Sequence, residues 1–266
     1  MYEFQYQRAA NLADALSRLA AADDGRVLAG GQTLLAAMKL RLSSPSDLVD
    51  LSGVAELKGI KLEGDRLVVG AMSRHAEVAS SPAVAGAIPA LAQLAAGIGD
   101  PMVRNMGTLG GSVANNDPAA DYPAAVLGLG ATILTNAREI PADNFFTAMY
   151  ETALEPGELI RAIAFPVPKR AAYAKFPNPA SRYALVGVFV GEGRDGIRVA
   201  VTGAGPVVFR VPALEAALAK SFTPAAAASV KIASTDLNTD MHAGAEYRAH
   251  LISVMAKRAV AAAIGA

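Results

Sequence analysis

Two clusters of glycine residues carry the chemistry that this sequence suggests. The first occupies residues 28–34 (LAGGQTL) and the second residues 104–112 (RNMGTLGGS). A diphosphate is held by several backbone N–H groups that converge on it, and glycine permits the backbone angles and the close approach that this requires. Neither cluster contains a carboxylate, so both are compatible with an anion. In the first cluster a predicted helix begins where the glycines end, which would direct its free N–H groups toward the anion.

Each cluster also has a simpler interpretation, because a Gly-Gly pair between a strand and a helix is often only a tight turn. Neither cluster contains the G-x-G-x-x-G of a Rossmann fold or the G-K-[ST] of a P-loop, which argues against a typical dinucleotide dehydrogenase or an NTPase. Two Gly-Gly turns, each beside a threonine or serine, remain compatible with one long ligand held at two points. The spacing alone does not name that ligand.

A few isolated polar residues are further candidates for the site. Asp117 precedes a proline and is interpreted as the N-cap of a helix over residues 118–127. Asp121 either bonds a ligand hydroxyl or lies favourably near the helix dipole, and the sequence leaves both open. Lys175 is most simply a solvated lysine on an edge strand. His75 is interpreted as a surface or packing residue rather than a ligand.

Composition excludes several classes of function. The chain has no cysteine, which rules out disulfides, thiolate nucleophiles and iron–sulfur ligation within it. Its histidines, His75, His242 and His250, are too far apart to predict a metal site. Basic and acidic residues are equal at 24 each, so net charge gives no reason to expect nucleic acid or an anionic membrane as partner.

We expect a cytoplasmic protein without a transmembrane segment. The N-terminus does not have the pattern of a signal peptide, because acidic and polar residues interrupt it. Residues 78–99 are uncharged, but prolines and glycines divide them and alanine supplies most of their apolar character. They are therefore interpreted as a buried helix rather than a membrane span, which needs about 20 strongly apolar residues.

Hydrophobic periodicity and turn residues predict a chain that mixes helices and strands. A helix capped by Asn11 is predicted from its amphipathic pattern. A domain boundary is expected near residues 168–174, where the pattern changes to a hairpin followed by helices. The predicted helices cover residues 12–22, 33–42, 118–127, 212–220, 224–233 and 243–264, and the predicted strands cover 26–29, 48–51, 57–62, 67–71, 159–165, 183–191 and 197–204.

Four longer segments resemble a known family: residues 29–42 (AGGQTLLAAMKLRL), 98–112 (IGDPMVRNMGTLGGS), 116–124 (NDPAADYPA) and 150–160 (YETALEPGELI). The chain is similar, over essentially its whole length, to the medium, flavin-carrying subunit of molybdenum hydroxylases. This group includes aerobic carbon monoxide dehydrogenase, xanthine dehydrogenase and bacterial N-heterocycle dehydrogenases. The long string in the second and third segments is specific, whereas A-G-G alone would be weak.

The resemblance implies an α+β fold. Residues 1–170 would form a two-subdomain FAD-binding domain of the vanillyl-alcohol-oxidase (PCMH) type, divided near residue 55. Residues 171–266 would form a small C-terminal domain of antiparallel sheet and helices.

The resemblance also implies a set of residues that contact FAD. Asp121 would bond a flavin hydroxyl, and Ile160 and Lys175 would border the isoalloxazine ring. No histidine stands where relatives of the wider fold attach flavin covalently, so the FAD is expected to be non-covalent. No catalytic acid or base is assigned to this chain. The residues expected to hold the diphosphate and ribityl chain are Ala29, Gly30, Gly31, Gln32, Thr33, Leu34, Gly107, Thr108, Leu109, Gly110, Gly111 and Ser112.

The implied function is electron transfer within a larger enzyme. Because this chain lacks cysteine, a small subunit with [2Fe-2S] clusters and a large molybdopterin subunit are expected as partners, in a dimer of heterotrimers. Two alternatives are a self-contained FAD-dependent oxidoreductase of the same fold and a non-catalytic nucleotide-binding assembly module. The chain departs from the family pattern at Asn116 and in residues 177–182, which are less basic than usual.

Overall fold

The computed structural model describes residues 1–265, which form helices and four β-sheets. The strands are β1 Gln5–Arg8, β2 Gly25–Leu28, β3 Asp47–Asp50, β4 Ile60–Glu63, β5 Arg66–Gly70, β6 Thr132–Thr135, β7 Glu139–Pro141, β8 Phe146–Ala148, β9 Glu151–Thr152, β10 Ile160–Pro166, β11 Arg170–Pro177, β12 Ala184–Gly193, β13 Gly196–Thr202 and β14 Phe209–Arg210. The helices are α1 Leu12–Ala21, α2 Leu34–Lys39, α3 His75–Ser80, α4 Pro82–Ala87, α5 Pro89–Ala96, α6 Pro101–Met106, α7 Leu109–Asn115, α8 Tyr122–Gly128, α9 Pro212–Lys220, α10 Pro224–Ala228 and α11 Ala245–Ala263. The mixed fold class expected from the sequence is confirmed.

A small parallel sheet begins the chain, with strand order β1-β3-β2. The predicted first helix is confirmed, and the Asn11 side chain accepts a hydrogen bond from the Asp14 amide at 2.8 Å. Ala15 of α1 is buried together with Val49 of β3, so the apolar face of the helix covers this sheet. The first glycine cluster follows β2 directly, so the sheet determines where that turn lies.

A five-stranded antiparallel sheet of order β4-β5-β10-β6-β7 forms the middle of the molecule. The hairpin predicted from the sequence is confirmed, with Glu63 paired to Arg66 across the turn. Its first strand is shorter than predicted, because residues 55–57 form a 3-10 turn. Helices α3, α4, α5, α7 and α8 contribute apolar side chains to the core shared with this sheet.

The C-terminal residues form an antiparallel sheet of order β11-β12-β13-β14, followed by α9, α10 and α11. Side chains alternate along β12: Val188 and Val190 pack with α11, whereas Phe189 packs in the core of the preceding residues. One face of this sheet therefore packs in the core of the preceding residues, and the other face packs in the core that contains α11. The domain division near residue 170 stays a prediction.

Four predicted helices differ from the structure. Residues 78–99 contain the end of one short helix and two more, because Pro82 and Pro89 each begin a new helix. The helix expected from residue 118 begins at Tyr122, since the Asp117 carboxylate instead accepts from the Ala119 amide in a local turn. The helix expected over residues 33–42 ends at Lys39, before Arg41 at a φ of 61°. The helix expected over residues 224–233 ends at residue 228.

Within residues 1–265, none of the helices combines the length and the apolar character needed to cross a bilayer.

A buried arginine ties the last helix to the C-terminal sheet. Arg248 of α11 is 2% exposed. Its guanidinium donates to the carbonyl oxygens of Leu185 at 2.7 Å and Gly203 at 2.8 Å, and to the Asp240 carboxylate at 2.7 Å. These acceptors lie in β12, after β13 and in the loop before α11, so one side chain joins three segments.

Arg248→Met should lower the free energy of unfolding by about 3 kcal/mol, because it leaves buried carbonyl groups without a donor. Chemical denaturation measures this change. The matched control is Arg258→Met, an exposed arginine on the same helix, which should change stability by less than about 0.5 kcal/mol. Equal effects of the two substitutions would contradict the anchoring role of Arg248.

Candidate functional site

A cavity of about 720 Å³ lies where the two glycine clusters meet. Its walls come from the turn after β2, from the turn between α6 and α7, and from residues 181–183 before β12. This volume is in the range of small-molecule and cofactor sites, roughly 300–1,000 Å³. The predicted site residues that line it are Ala29, Gly30, Gly31, Gln32, Thr33, Leu34, Gly107, Thr108, Gly111, Ser112 and Asp121.

The first glycine turn lines this cavity and has backbone donors without protein partners. Within residues 1–265, the amides of residues 30–34 donate to no protein acceptor. Gly31 has a φ of 70°, a conformation that glycine adopts without strain. Helix α2 begins directly after the turn, and the side chain of its N-cap, Thr33, caps no amide. The turn is therefore suited to bind an anion through its main chain.

The second glycine turn has a different structure, because the amides of residues 109–111 already have acceptors within the protein. The amide of Leu109 donates to the Ser73 carbonyl at 2.9 Å, and the amide of Gly110 donates to the Ala71 carbonyl at 2.8 Å. The amide of Gly111 donates to the Thr108 hydroxyl at 3.2 Å. The expectation that both turns offer a cradle of free amides is therefore wrong for the second one.

Close packing explains the glycines of the second turn. A Cβ on Gly110 would lie 2.5 Å from the Ala71 Cβ, and one on Gly107 would lie 2.5 Å from the His75 Nε2. A Cβ on Gly111 would lie 2.8 Å from the Thr108 hydroxyl. The turn therefore provides clearance, two hydroxyl groups and the Thr108 amide, which has no protein acceptor within residues 1–265.

Asp121 is buried in the cavity wall in an ion pair. Its carboxylate accepts from the Tyr173 hydroxyl at 2.5 Å and from the Lys175 ammonium at 3.0 Å. Burial raises the pKa of Asp121, and the charge of Lys175 opposes this shift. The carboxylate makes no capping bond to α8. Carboxylate oxygens have lone pairs beyond those used here, so a ligand hydroxyl can still be bonded.

Lys175 is not the solvated edge lysine that the sequence suggested. Its ammonium donates to the Gly97 carbonyl at 2.9 Å, to Asp121 at 3.0 Å and to the Arg182 carbonyl at 3.1 Å. An ammonium has three N–H groups, so all of them have protein acceptors. Lys175 does not line the cavity. It instead joins β11 to the segments that contain Gly97, Asp121 and Arg182, and each of these segments contributes residues to the cavity lining.

Three further predicted residues also lie outside the cavity. Leu109 is fully buried and Ile160 is 6% exposed, both in the central core, and Gly110 packs on β5 through Ala71. Asn116, where the sequence departs from the family pattern, ends α7 with a φ of 45° and is also buried. Its side-chain amide donates to the carbonyls of residues 148 and 151 at 2.7 and 2.8 Å, which indicates a structural role.

Several cavity residues are not among the predicted site residues. His75 was interpreted as a surface or packing residue, but it is 5% exposed and lines the cavity. Ser181, Arg182 and Tyr183 approach from a loop more than 60 residues beyond the second glycine cluster. No local pattern predicts such a contact. Within residues 1–265, no group of three or more histidine, cysteine or acidic side chains is arranged to hold a metal ion.

Comparison with known proteins gives one consistent result. Residues 2–168 match the family described as FAD binding domain in molybdopterin dehydrogenase. The carbon monoxide dehydrogenase medium chain of Hydrogenophaga pseudoflava is 35% identical, over 98% of this chain and 96% of the relative. The nicotine 6-hydroxylase medium subunit of Paenarthrobacter nicotinovorans is 34% identical, over 96% of this chain and 95% of the relative. Among solved structures, reconstituted CO dehydrogenase from Oligotropha carboxidovorans superposes with a TM-score of 0.93 at 32% identity, over 99% of this chain and 98% of that one.

Lys175→Met should lower the free energy of unfolding by about 3 kcal/mol, because it leaves the Asp121 carboxylate buried without its cation. The matched control is Lys169→Met, whose side chain is 73% exposed and pairs with Glu192; it should cost less than about 1 kcal/mol. Chemical denaturation measures both.

The double variant Asp121→Asn/Lys175→Met tests the cause. If an unpaired carboxylate is responsible, the double variant should be more stable than Lys175→Met alone. A double variant that is less stable than Lys175→Met would contradict this account.

Proposed function

The chain belongs to the family of FAD-binding domains in molybdopterin dehydrogenases, and we propose that it is the electron-exit subunit of such an enzyme. It is an oxidoreductase subunit that holds FAD. The further step proposed is that electrons from iron–sulfur clusters on a partner subunit reach an external acceptor by way of this FAD. The cofactor supplies the redox chemistry, and the protein holds and orients it.

The observation that carries this proposal is that residues 30–34 line the cavity and that their amides have no acceptor within residues 1–265. An anionic diphosphate matches these donors, because consecutive free N–H groups beside the start of a helix are suited to bind an anion. The second glycine turn adds the hydroxyls of Thr108 and Ser112 to the lining of the same cavity. The residues present therefore fit the diphosphate of FAD.

The other predicted residues receive distinct roles in this proposal. Asp121 bonds a hydroxyl of the FAD through an oxygen lone pair that Lys175 and Tyr173 leave free. Gly111 leaves space for the ligand, and Gly107 leaves space for the His75 ring beside it. Gly110, Leu109 and Ile160 support the wall from the core. Lys175 positions the wall and does not contact the ligand, since its donors have protein partners.

The names of the relatives support a multi-subunit assembly. "Medium chain" and "medium subunit" describe one component among several. This chain has no cysteine for an iron–sulfur cluster, so we propose a small iron–sulfur subunit and a large molybdopterin subunit as partners. A dimer of heterotrimers working in the cytoplasm remains part of the proposal.

Substrate choice is assigned to a partner rather than to this chain. A relative named for carbon monoxide and one named for nicotine are almost equally similar to it, at 35% and 34% identity. These substrates differ greatly in size and chemistry. A component that is equally similar to both is better suited to a step that the two enzymes share, and transfer of electrons to an acceptor is such a step.

The proposal is tested by purifying the assembly that forms around the tagged chain. Wild type should contain FAD, together with molybdenum and iron on other chains, and the substrate of the large subunit should reduce that FAD. Turnover by the chain alone would favour the self-contained oxidoreductase. Bound FAD that no partner reduces would favour the assembly module.

Gly111→Val should weaken FAD binding by about a hundredfold or more, about 3 kcal/mol, because the new side chain would project between Thr108 and Ala29 at the cavity wall. Fluorescence titration of the FAD-free assembly measures the affinity. The matched control is Gly86→Val, at a helical glycine with no atom within 4 Å of an added Cβ, and it should bind FAD as wild type does. Circular dichroism verifies that both variants fold. Equal affinity of Gly111→Val and wild type would show that the FAD lies elsewhere.

A further inference from the structure

His75 has an imidazole ring that is buried at the cavity and has no hydrogen-bond partner. The residue is 5% exposed and begins α3. Its Nδ1 is buried without a partner, and its Nε2 makes no hydrogen bond to any residue of 1–265. A neutral imidazole has one donor and one acceptor, and leaving such groups unpaired in a protein interior is unfavourable. Residues 1–265 therefore supply no hydrogen-bond partner for the polar atoms of this side chain.

The ring lies where the two glycine turns touch. The His75 amide donates to the Gly107 carbonyl at 3.0 Å, and the Nε2 atom lies 2.5 Å from where a Gly107 Cβ would stand. A Cβ on Gly30 would in turn lie 2.7 Å from the Gly107 Cα. His75, Gly30 and Gly107 are therefore in one place, and all three line the cavity. Of the two ring nitrogens only Nδ1 is a fully buried unpaired atom, so Nε2 is the one exposed to the cavity.

The electrostatic surroundings favour a neutral ring beside an anion. Burial, and then the charge of Arg104, lower the pKa of His75 to about 4. The ring is therefore neutral at pH 7, with an N–H to donate. Arg104 adds positive potential near the same place, which favours an anionic ligand. Tyr122 packs on the other side of the ring, with centroids 5.2 Å apart, and supplies no charge.

We propose that the Nε2 of His75 is a hydrogen-bond donor to the diphosphate of bound FAD at the point where the two glycine turns meet. This inference rests on the proposed function and adds a binding residue to that site. Binding then provides an acceptor for the Nε2 N–H, whereas the buried Nδ1 is the acceptor nitrogen of this tautomer and keeps no partner within residues 1–265. The role is one of ligand contact and needs no change in protonation.

His75→Leu separates this role from a packing role. Leucine fills a similar volume without polar atoms, so the FAD-free assembly should melt at the same or a higher temperature than wild type. FAD affinity should fall about tenfold, the loss of one hydrogen bond of about 1.4 kcal/mol. Fluorescence titration and thermal melting of the FAD-free assembly measure the two effects.

Two further variants sharpen the test. His75→Gln places an amide N–H near the position of Nε2 and should restore affinity to within about threefold of wild type. His242→Leu, at an exposed loop histidine, should leave affinity unchanged.

The outcomes are distinguishable. Wild-type affinity in His75→Leu would overturn the inference. So would an affinity loss that comes with a lower melting temperature and is not relieved by glutamine, because that pattern marks a packing residue. If wild type itself binds no FAD, the proposed function fails instead.

Discussion

The site depends on a contact between two backbone turns that only glycine permits. A Cβ on Gly30 would overlap the carbonyl oxygen of Met106 and lie 2.7 Å from the Cα of Gly107. Without that atom, the turn after β2 packs directly on the turn before α7. The small parallel sheet and the central core are thereby joined at one edge of the cavity. The same contact brings residues 30–34, with their free amides, and the hydroxyl residues Thr108 and Ser112 to one cavity.

The two turns look alike in sequence and perform different tasks. Both contain Gly-Gly beside a hydroxyl residue, and this similarity suggested that both turns bind one ligand through their main chains. In the second turn, however, Leu109 and Gly110 donate to carbonyls of residues 73 and 71. Those bonds attach α7 to the end of β5. The glycines there serve close packing, so a glycine-rich motif does not by itself show where free donors are.

Local signals predicted the local structure well. The cap at Asn11, the hairpin at residues 63–66 and the anion-suited turn at Gly31 follow from residues adjacent in sequence. Contacts between distant residues were not predictable in this way. Lys175 and Asp121 are 54 residues apart, and no local feature of a single lysine in a strand predicts that it pairs with a buried carboxylate. The position of His75 likewise depends on packing against residues of α8 and of the second turn, which no periodicity encodes.

The cavity involves C-terminal residues as well as the region that matches the FAD-binding family. That match ends at residue 168, yet residues 181–183 form part of the cavity wall. Lys175 holds the Arg182 carbonyl and Asp121 together, so the loop and the wall of the FAD-binding region share one ammonium group. Phe189 of β12 packs into the core of the preceding region, which fixes the sheet that carries this loop. The C-terminal segment is therefore a structural part of this cavity, because residues 181–183 line it and the Lys175–Asp121 ion pair and the shared core connect the two regions.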